Sequence, residues 1–327
     1  MKSRILVTGA TGFIGRHIVN ALAASDWATP VAASRRANHG MRAVDALSAA
    51  SLSAALADVD GVVNCVAGSP DAIVANARAL REALDARSTP IPAVHFSSMA
   101  VYGSAEGHVD ESAALAGTSP YGIAKVEAEQ ALAGLSCVTV LRPGCVYGGG
   151  SPQWSGRIAE LLCAGRLGDL GAAGDAHSNL VHVDDVVKAA LGALRHPEAG
   201  GQAYNLAMAD APRWNDYFIA YAMALGATPV RRIGGRRLKI ETKLVAPALK
   251  IAEILGRKIG LKGLPPPLPP SLARLWQQDI CLDASRAATT FGLAWTPWRD
   301  AVKAEAARGS DRLSASPDAP PSSARGL

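Results

Sequence analysis

Aromatic residues and cysteines are scarce in this chain of 327 residues. Aromatics make up 5% of it and are not interleaved with the basic residues, and the net charge is only +5. A surface that binds single-stranded nucleic acid combines basic and aromatic side chains. The five cysteines form no Cys-x-x-Cys pair, and their odd number fits neither a disulfide framework nor a zinc site. We therefore expect no nucleic-acid partner, no metal, and a location in the reducing cytoplasm.

Long apolar runs are also missing. No stretch reaches the roughly 18 uninterrupted apolar residues that a spanning helix requires, and residues 1–5 lead directly into a predicted strand, so we expect no signal peptide. Hydrophobic residues nevertheless make up 49% of the chain and charged residues 19%. This composition is typical of a folded globular protein, and the length predicts about two domains at roughly 150 residues each.

Short apolar runs alternate with helical segments through about residue 145. The predicted strands are 5–7, 31–33, 62–64, 93–96 and 138–141, and the predicted helices are 15–24, 51–57, 73–86 and 121–133. This order is typical of an α/β fold in which helices cover both faces of a doubly wound parallel sheet.

A glycine-rich loop follows the first predicted strand and opens the first predicted helix. Gly9, Gly12 and Gly15 allow a tight turn and a close approach of the backbone to a pyrophosphate, whose charge the helix N-terminus stabilises. The alternative, a purely structural turn, fits this position and spacing less well. The predicted cofactor contacts in the loop are Gly9, Thr11, Gly12, Phe13, Ile14 and Gly15.

Two arginines end the second predicted strand. They lie about 20 residues beyond Gly15, where NAD-binding proteins place an acidic residue that binds the adenosine ribose. Arg35 and Arg36 can instead bind a 2′-phosphate through charge-assisted hydrogen bonds, which favours NADP over NAD. The alternative is that both are solvated loop residues.

Tyr121 and Lys125 are four residues apart in a predicted helix and therefore share a face. A tyrosine in water has a pKa of about 10, so acid–base catalysis at neutral pH requires a lower pKa. A nearby ammonium and the positive charge of a nicotinamide both act in that direction. Ser98, after the fourth predicted strand, can hydrogen-bond a substrate oxygen. We predict that Ser98, Tyr121 and Lys125 are catalytic; the alternative for the pair alone is an ordinary exposed helix face.

Over roughly residues 4 to 305, these features resemble the extended short-chain dehydrogenase/reductase superfamily, of the NAD(P)-dependent epimerase/dehydratase type. The matching positions are the glycine loop, the Asp45 region, residues 64–68, Asn76, Ser98, Tyr121, Lys125 and residues 141–143. The resemblance implies a Rossmann fold, with Tyr121 as general acid/base, Lys125 on the nicotinamide ribose and Ser98 polarising the substrate oxygen. The further cofactor contacts that it implies are Asp45 near the adenine, Ala67, Asn76, Ser97 and Pro143.

The order of predicted elements loosens after residue 150, and a predicted helix and strand then return near residues 181–206. We therefore predict a Rossmann domain over residues 1–150 and about 178–205, interleaved with a smaller substrate lobe over about 151–177 and 206–307. Residues 308–327, rich in Ser, Pro, Ala and Arg, are expected to be a disordered tail. Asp184 and Asp185 are expected to cap the helix that follows them. Similar proteins commonly dimerise through the helix that carries Tyr121, so we expect a homodimer.

Four positions depart from the family pattern. Dehydratases resemble one another in a carboxylate pair where this chain has Met99 and Ala100, and nucleotide-sugar epimerases carry an Asn and an Arg where it has Cys145 and Ser178. These replacements remove polar contacts for a sugar nucleotide. We therefore predict an oxidoreductase that transfers hydride between nicotinamide and a small apolar alcohol or ketone. The alternatives are a nucleotide-sugar epimerase with tightly held NAD and, in another class, a non-catalytic cofactor-binding scaffold or redox sensor.

The C-terminal part offers weaker signals. Residues 238–258 combine helically spaced apolar residues with basic ones, similar to the hydroxysteroid-dehydrogenase-like branch, whose members act on apolar alcohols and ketones. This stripe either packs on the lobe's own core or makes a weak contact with a membrane surface. For Trp154, Trp214, Tyr217 and Trp276 we expect core packing rather than a role in a substrate pocket.

Overall fold

The structure is a computed structural model that describes residues 1–36, 40–245, 249 and 268–314. Its contacts divide the chain into two compact units. Unit 1 comprises Met1–Tyr147, His177–Ala211 and Gln278–Thr296. Unit 2 comprises Gly148–Ala176, Pro212–Gln277 and Pro297–Leu327. In the described ranges, no helix is both long enough and apolar enough to cross a bilayer.

A parallel sheet of seven strands forms the centre of unit 1. The described strands, in chain order, are β1 Ser3–Thr8, β2 Ala28–Ser34, β3 Arg42–Ala43, β4 Gly61–Asn64, β5 Ala93–Phe96, β6 Gly107–Val109, β7 Val138–Pro143, β8 Cys145–Tyr147, β9 Leu180–His182, β10 Ala203–Leu206 and β11 Ile280–Leu282. The large sheet has the order β10-β7-β5-β4-β1-β2-β3, and all its pairs are parallel. Strands β6 and β11, and β8 and β9, form two small parallel sheets.

Helices cover both faces of the large sheet. The described helices, in chain order, are α1 Phe13–Ala24, α2 Ala49–Leu56, α3 Pro70–Asp85, α4 Pro120–Leu132, α5 Arg157–Cys163, α6 Val183–Arg195, α7 Trp214–Ala224, α8 Gly235–Ile240, α9 Pro270–Leu275, α10 Ser285–Phe291 and α11 Trp298–Ser314. Successive side chains of β1 point to opposite faces: Ile5 and Val7 pack with α1 and α6, and Leu6 packs with α2 and α3. The predicted doubly wound α/β fold is confirmed.

Local capping determines where two of these helices begin. Ser119 caps α4 by accepting a hydrogen bond from the backbone N–H of Gly122, and Pro120 occupies the first turn, where it needs no hydrogen-bond donor. For α6, the prediction that the aspartate pair forms the cap is wrong. His182 is the cap residue, and its Nδ1 accepts from the Asp184 N–H at 3.3 Å. Asp185 lies inside the first turn and accepts from Thr296 N and Oγ1 at 2.7 and 2.9 Å.

Unit 2 is helical and has an aromatic core. Trp214, Tyr217 and Trp276 are at most 1% exposed, so core packing is the observed role of these three residues. Trp154 packs against Trp214, with ring centroids 5.4 Å apart. Helix α11 continues to Ser314, beyond residue 308, where the sequence predicts the tail to begin; residues 315–327 lie outside the described part.

The predicted amphipathic segment 238–258 is described only through residue 245 and at residue 249. Within it, Leu238 is buried and Ile240 is 53% exposed. Its possible contact with a membrane surface and its resemblance to the hydroxysteroid-dehydrogenase-like branch stay predictions.

Candidate active site

The glycine loop lies between β1 and α1, at the carboxyl end of the sheet. Gly9 has a φ of +66°, and a Cβ there would lie 2.6 Å from the carbonyl oxygen of Cys65. A Cβ at Gly15 would lie 2.2 Å from the carbonyl oxygen of Gly9. The loop therefore packs backbone to backbone. Because the cap residue Gly12 has no side chain, the first N–H groups of α1 are available to an anion. This cradle fits the pyrophosphate of a dinucleotide.

The remaining predicted contacts in the loop vary in exposure. Thr11 is exposed, whereas Phe13 and Ile14 are half-buried and pack against the core that covers the α1 face of the sheet.

Arg35 and Arg36 are exposed immediately after β2. Ser34 Oγ donates to the carbonyl oxygen of Arg36. Among the described residues, neither guanidinium has a hydrogen-bond or ion-pair partner. Arg42, nearby on β3, is instead bound to Asp58 through Nη1 and Nη2 at 2.7 and 2.8 Å. The structure thus presents two unpaired cations where the adenosine end of a dinucleotide binds in this fold.

Ser98, Tyr121 and Lys125 come together in unit 1. Ser98 follows β5; its hydroxyl accepts a hydrogen bond from Ala100 N at 3.2 Å, and it acts to lower the pKa of the Tyr121 phenol. Lys125 is 3% exposed, and its Nζ donates to the carbonyl oxygen of Phe96 at 2.6 Å and lies 5.8 Å from the centroid of the Tyr121 ring. The side chain of Tyr121 remains partly exposed. An accessible phenol thus lies beside a buried ammonium.

A close backbone contact fixes these groups relative to one another. Gly122, in the first turn of α4, faces the turn that follows Ser98, and a Cβ at this position would lie 2.6 Å from the carbonyl oxygen of Ala100. The start of α4, which carries Tyr121, therefore packs directly on the backbone of that turn.

The surroundings shift both pKa values. Partial desolvation raises the pKa of Tyr121, and the hydrogen bond with Ser98 opposes this rise. Burial lowers the pKa of Lys125 to about 8, although the negative charge of Glu129 acts to raise it. The chain's own groups therefore do not produce the lowered tyrosine pKa that catalysis at neutral pH requires.

A chain of buried amides links the ends of β1, β4 and β5. Thr8 Oγ1 donates to Asn64 Oδ1 at 2.6 Å, and Asn64 Nδ2 donates to Asn76 Oδ1 at 2.7 Å. Asn76 Nδ2 in turn donates to the carbonyl oxygen of Ala46 at 2.8 Å. His95 Nδ1 lies 3.1 Å from Asn64 Nδ2, and burial lowers the pKa of this histidine to about 3. Asn76 is 2% exposed, and its amide binds protein atoms; its contact with a cofactor stays a prediction.

A second buried network was not predicted from the sequence. Ser97, which was predicted as a cofactor contact, donates its hydroxyl hydrogen to Glu129 Oε1. Arg142 binds both oxygens of the same carboxylate, and its Nη1 donates to Tyr102 Oη at 2.9 Å. Tyr102 Oη donates to Asn205 Oδ1 at 2.7 Å. The sequence contains one indication of this network. Glu129 follows Lys125 by four residues in the predicted helix, so both side chains lie on the same helix face.

The other predicted contacts lie at strand ends or in the segment that follows. Pro143 is buried at the end of β7, and Ala67 is exposed in the segment after β4. Asp45 is exposed, and its Oδ1 accepts from Leu47 N at 3.0 Å. Within the described ranges, no group of three His, Cys, Asp or Glu side chains is arranged to hold a metal.

The parallel sheet, the glycine cradle and the Ser-Tyr-Lys set define a dinucleotide-dependent enzyme of the Rossmann class. The model of the NAD dependent epimerase/dehydratase family matches residues 5–207, and the chain belongs to this family. No curated protein sequence matches it significantly.

Solved structures share the fold at low identity. Human epimerase family protein SDR39U1 (isoform 2), solved with NADPH, is 19% identical, with a TM-score of 0.71 over 93% of this chain and 99% of that one. UDP-glucose 4-epimerase from Thermotoga maritima, solved with UDP-glucose, is 18% identical, with a TM-score of 0.71 over 95% and 99%. UDP-glucuronic acid 4-epimerase from Bacillus cereus, solved with UDP-glucuronic acid and NAD, is 20% identical, with a TM-score of 0.69 over 94% and 99%.

Proposed function

We propose that this protein is an NADP-dependent oxidoreductase that interconverts a small apolar alcohol and its ketone. The observation that carries the proposal is the exposed Tyr121 side chain, whose ring lies 5.8 Å from the buried Nζ of Lys125 and whose pKa Ser98 acts to lower. This is the arrangement that transfer of a proton to or from a substrate oxygen requires.

Each residue of the set has one task in this reaction. NADP, when bound, supplies the hydride donor or acceptor and, when oxidised, a positive charge. Gly9, Gly12 and Gly15 would hold its pyrophosphate, and Lys125 would bind its nicotinamide ribose. Tyr121 Oη gives a proton to the substrate oxygen in the reducing direction and takes it back in the oxidising direction. Ser98 Oγ donates a hydrogen bond to the same oxygen as negative charge develops on it.

The unpaired arginines support the preference for NADP. Arg35 and Arg36 are exposed, and the described residues include no acidic partner for either. A 2′-phosphate can accept charge-assisted hydrogen bonds from both. NADPH was bound in the human relative and NAD in the Bacillus cereus relative, so the fold accommodates either cofactor.

The side chains around the set support an apolar substrate. Ser98 is followed by Met99 and Ala100, so the acid and base that a dehydration would use are missing from these positions. Cys145 and Ser178 are 2% and 1% exposed. Neither can therefore offer polar surface to the diphosphate of a sugar nucleotide.

A nucleotide-sugar epimerase is the second candidate, because epimerisation uses the same proton transfer and the family includes such enzymes. Native mass spectrometry of the purified protein separates the two candidates. Protein free of cofactor that binds NADPH more tightly than NADH in a fluorescence titration supports the oxidoreductase. Copurified, tightly held NAD supports the epimerase and counts against Arg35 as a phosphate ligand. Absence of turnover across a broad panel of ketones and sugars would favour a non-catalytic scaffold or redox sensor.

The same spectrum tests the proposed assembly. We propose a homodimer formed through α4, on which Ile123 is 45% exposed. A dimer mass supports this assembly, and a monomer mass at micromolar concentration counts against it. We also propose a cytoplasmic location, which the free thiols of all five cysteines support.

A further inference from the structure

A buried ion pair lies beside the catalytic residues. Glu129 belongs to α4, one turn after Lys125, and Arg142 approaches it from β7. Their closest contact is 2.7 Å, between Arg142 Nη2 and Glu129 Oε2, and each side chain is 7% exposed. Arg142 Nε also lies 3.0 Å from Glu129 Oε1. A bidentate pair buried in this way holds its carboxylate in one orientation.

Glu129 interacts with the neighbours of Tyr121 in two ways, through a hydrogen bond and through its charge. Its Oε1 accepts the hydroxyl hydrogen of Ser97, which immediately precedes Ser98 in the chain. Its negative charge also favours the protonated form of Lys125, against the burial that lowers the pKa of this lysine to about 8. The carboxylate therefore influences both partners of Tyr121.

Apart from Arg142, whose positive charge is paired with Glu129, the described titratable groups that interact with Lys125 carry little charge near neutral pH. Burial raises the pKa of Cys65, after β4, to about 12, and lowers the pKa of His95, on β5, to about 3. Tyr121 on α4 is neutral because its pKa is raised. Glu129, four residues after Lys125 on α4 and paired with Arg142, thus carries the negative charge that favours the ammonium form of Lys125.

We infer that Glu129 is a positioning residue for the catalytic set, which keeps Lys125 in its ammonium form and anchors the backbone that carries Ser98. The inference rests on the proposed function, in that Ser98 and Lys125 are taken to act in catalysis. The charge of Lys125 can nevertheless be measured without any substrate.

The first test is an NMR titration of full-length protein labelled with ¹³C-lysine, in which the Lys125→Met variant assigns the Lys125 signal. In Glu129→Gln we expect Lys125 to titrate about one pH unit lower or more, the size of effect that an adjacent opposite charge produces. Tyr121→Phe, which abolishes turnover under the proposed function, should leave the titration where it is in the unmutated protein. An unchanged Lys125 titration in folded Glu129→Gln overturns the inference.

The Gln substitution leaves Arg142 buried without its carboxylate, which by itself destabilises the fold. The double variant Glu129→Met, Arg142→Met removes both charges and keeps apolar volume in the core, a replacement that buried ion pairs often tolerate. We expect Lys125 to titrate at lower pH in this variant also. If the double variant instead titrates like the unmutated protein, the unpaired arginine explains the shift, and the inference fails.

Ser97 tests the anchoring role separately. Ser97→Ala retains the Glu129–Arg142 pair, so we expect an unchanged Lys125 titration and a turnover number lowered about tenfold or more, because a small misplacement of Ser98 is costly. Ser97→Thr retains the hydroxyl and should recover most of the turnover. Full activity in Ser97→Ala would refute the anchoring role. If no variant and no unmutated protein turns over any substrate, the proposed function fails, while the NMR titration still decides the charge of Lys125.

Discussion

Replacing Tyr121 with Phe removes one oxygen atom from the site and little else. The ring stays in the first turn of α4, and Lys125 Nζ keeps its hydrogen bond to the carbonyl oxygen of Phe96. Ser98 keeps its hydrogen bond from Ala100 N. Because Tyr121 is 43% exposed, we expect the free energy of unfolding to change by no more than about 0.5 kcal/mol.

The effect on turnover should be far larger. General acid–base catalysis contributes about 100-fold to 10,000-fold, so kcat in Tyr121→Phe should fall at least about 100-fold, which corresponds to about 2.7 kcal/mol of transition-state stabilisation. Cofactor affinity, measured by fluorescence titration, should remain within about twofold of the unmutated value, because the glycine loop and Lys125 are untouched.

The assay follows NADPH absorbance with the ketone that turns over fastest in a panel screen. Tyr221→Phe is the matched control: it removes a phenol oxygen from a buried tyrosine of unit 2 and should retain turnover. A loss smaller than tenfold in Tyr121→Phe, with the control active, would show that another group transfers the proton.

Three further changes test other parts of the structure. Replacing Arg35 and Arg36 together with Ala should weaken NADPH binding about 10-fold to 100-fold, at about 1 kcal/mol or more for each charge-assisted bond, with little effect on NADH; equal losses for both cofactors would contradict the phosphate role. Gly15→Ala, whose Cβ would lie 2.2 Å from a backbone oxygen, should lower the melting temperature and abolish cofactor binding. The matched Gly68→Ala, with a Cβ contact at 3.4 Å, should do neither, and equal behaviour of the two would discredit the packing argument. Hydrogen bonding with Arg42 lowers the pKa of Asp58 to about 2, so this carboxylate stabilises the fold above its unfolded pKa of about 4, and the contribution is lost as pH falls towards 2. The melting temperature of Asp58→Asn should accordingly be lower than that of the unmutated protein at pH 7 and converge with it near pH 2; a difference independent of pH would exclude this linkage.

Features that local sequence determines were predictable here. The alternation of apolar runs and helices predicted the parallel sheet, and the glycine spacing predicted a loop whose tight packing the structure shows at Gly9 and Gly15. The sequence also singled out Ser98, Tyr121 and Lys125, which the fold brings together, although a catalytic role for them stays a prediction.

Features that depend on competition between partners were not predictable. The pairing of Glu129 with Arg142 depends on how α4 packs against β7. Glutamate and arginine usually lie at the surface, so the sequence gives no reason to expect a buried ion pair between them. The hydroxyl of Ser97 donates to Glu129, and the predicted contact of Ser97 with a cofactor stays a prediction. At α6, three polar side chains within four residues could each have capped the helix, and only the backbone path selects His182 over the two aspartates.

The backbone contact between Gly122 and Ala100 has a consequence for engineering the enzyme. A side chain at position 122 would meet the carbonyl oxygen of Ala100, so it would displace the start of α4 from the turn that follows Ser98. A library that varies the exposed Ile123 while keeping Gly122 fixed should therefore leave Ser98 and Tyr121 at their present spacing. A library that includes position 122 should consist largely of inactive clones.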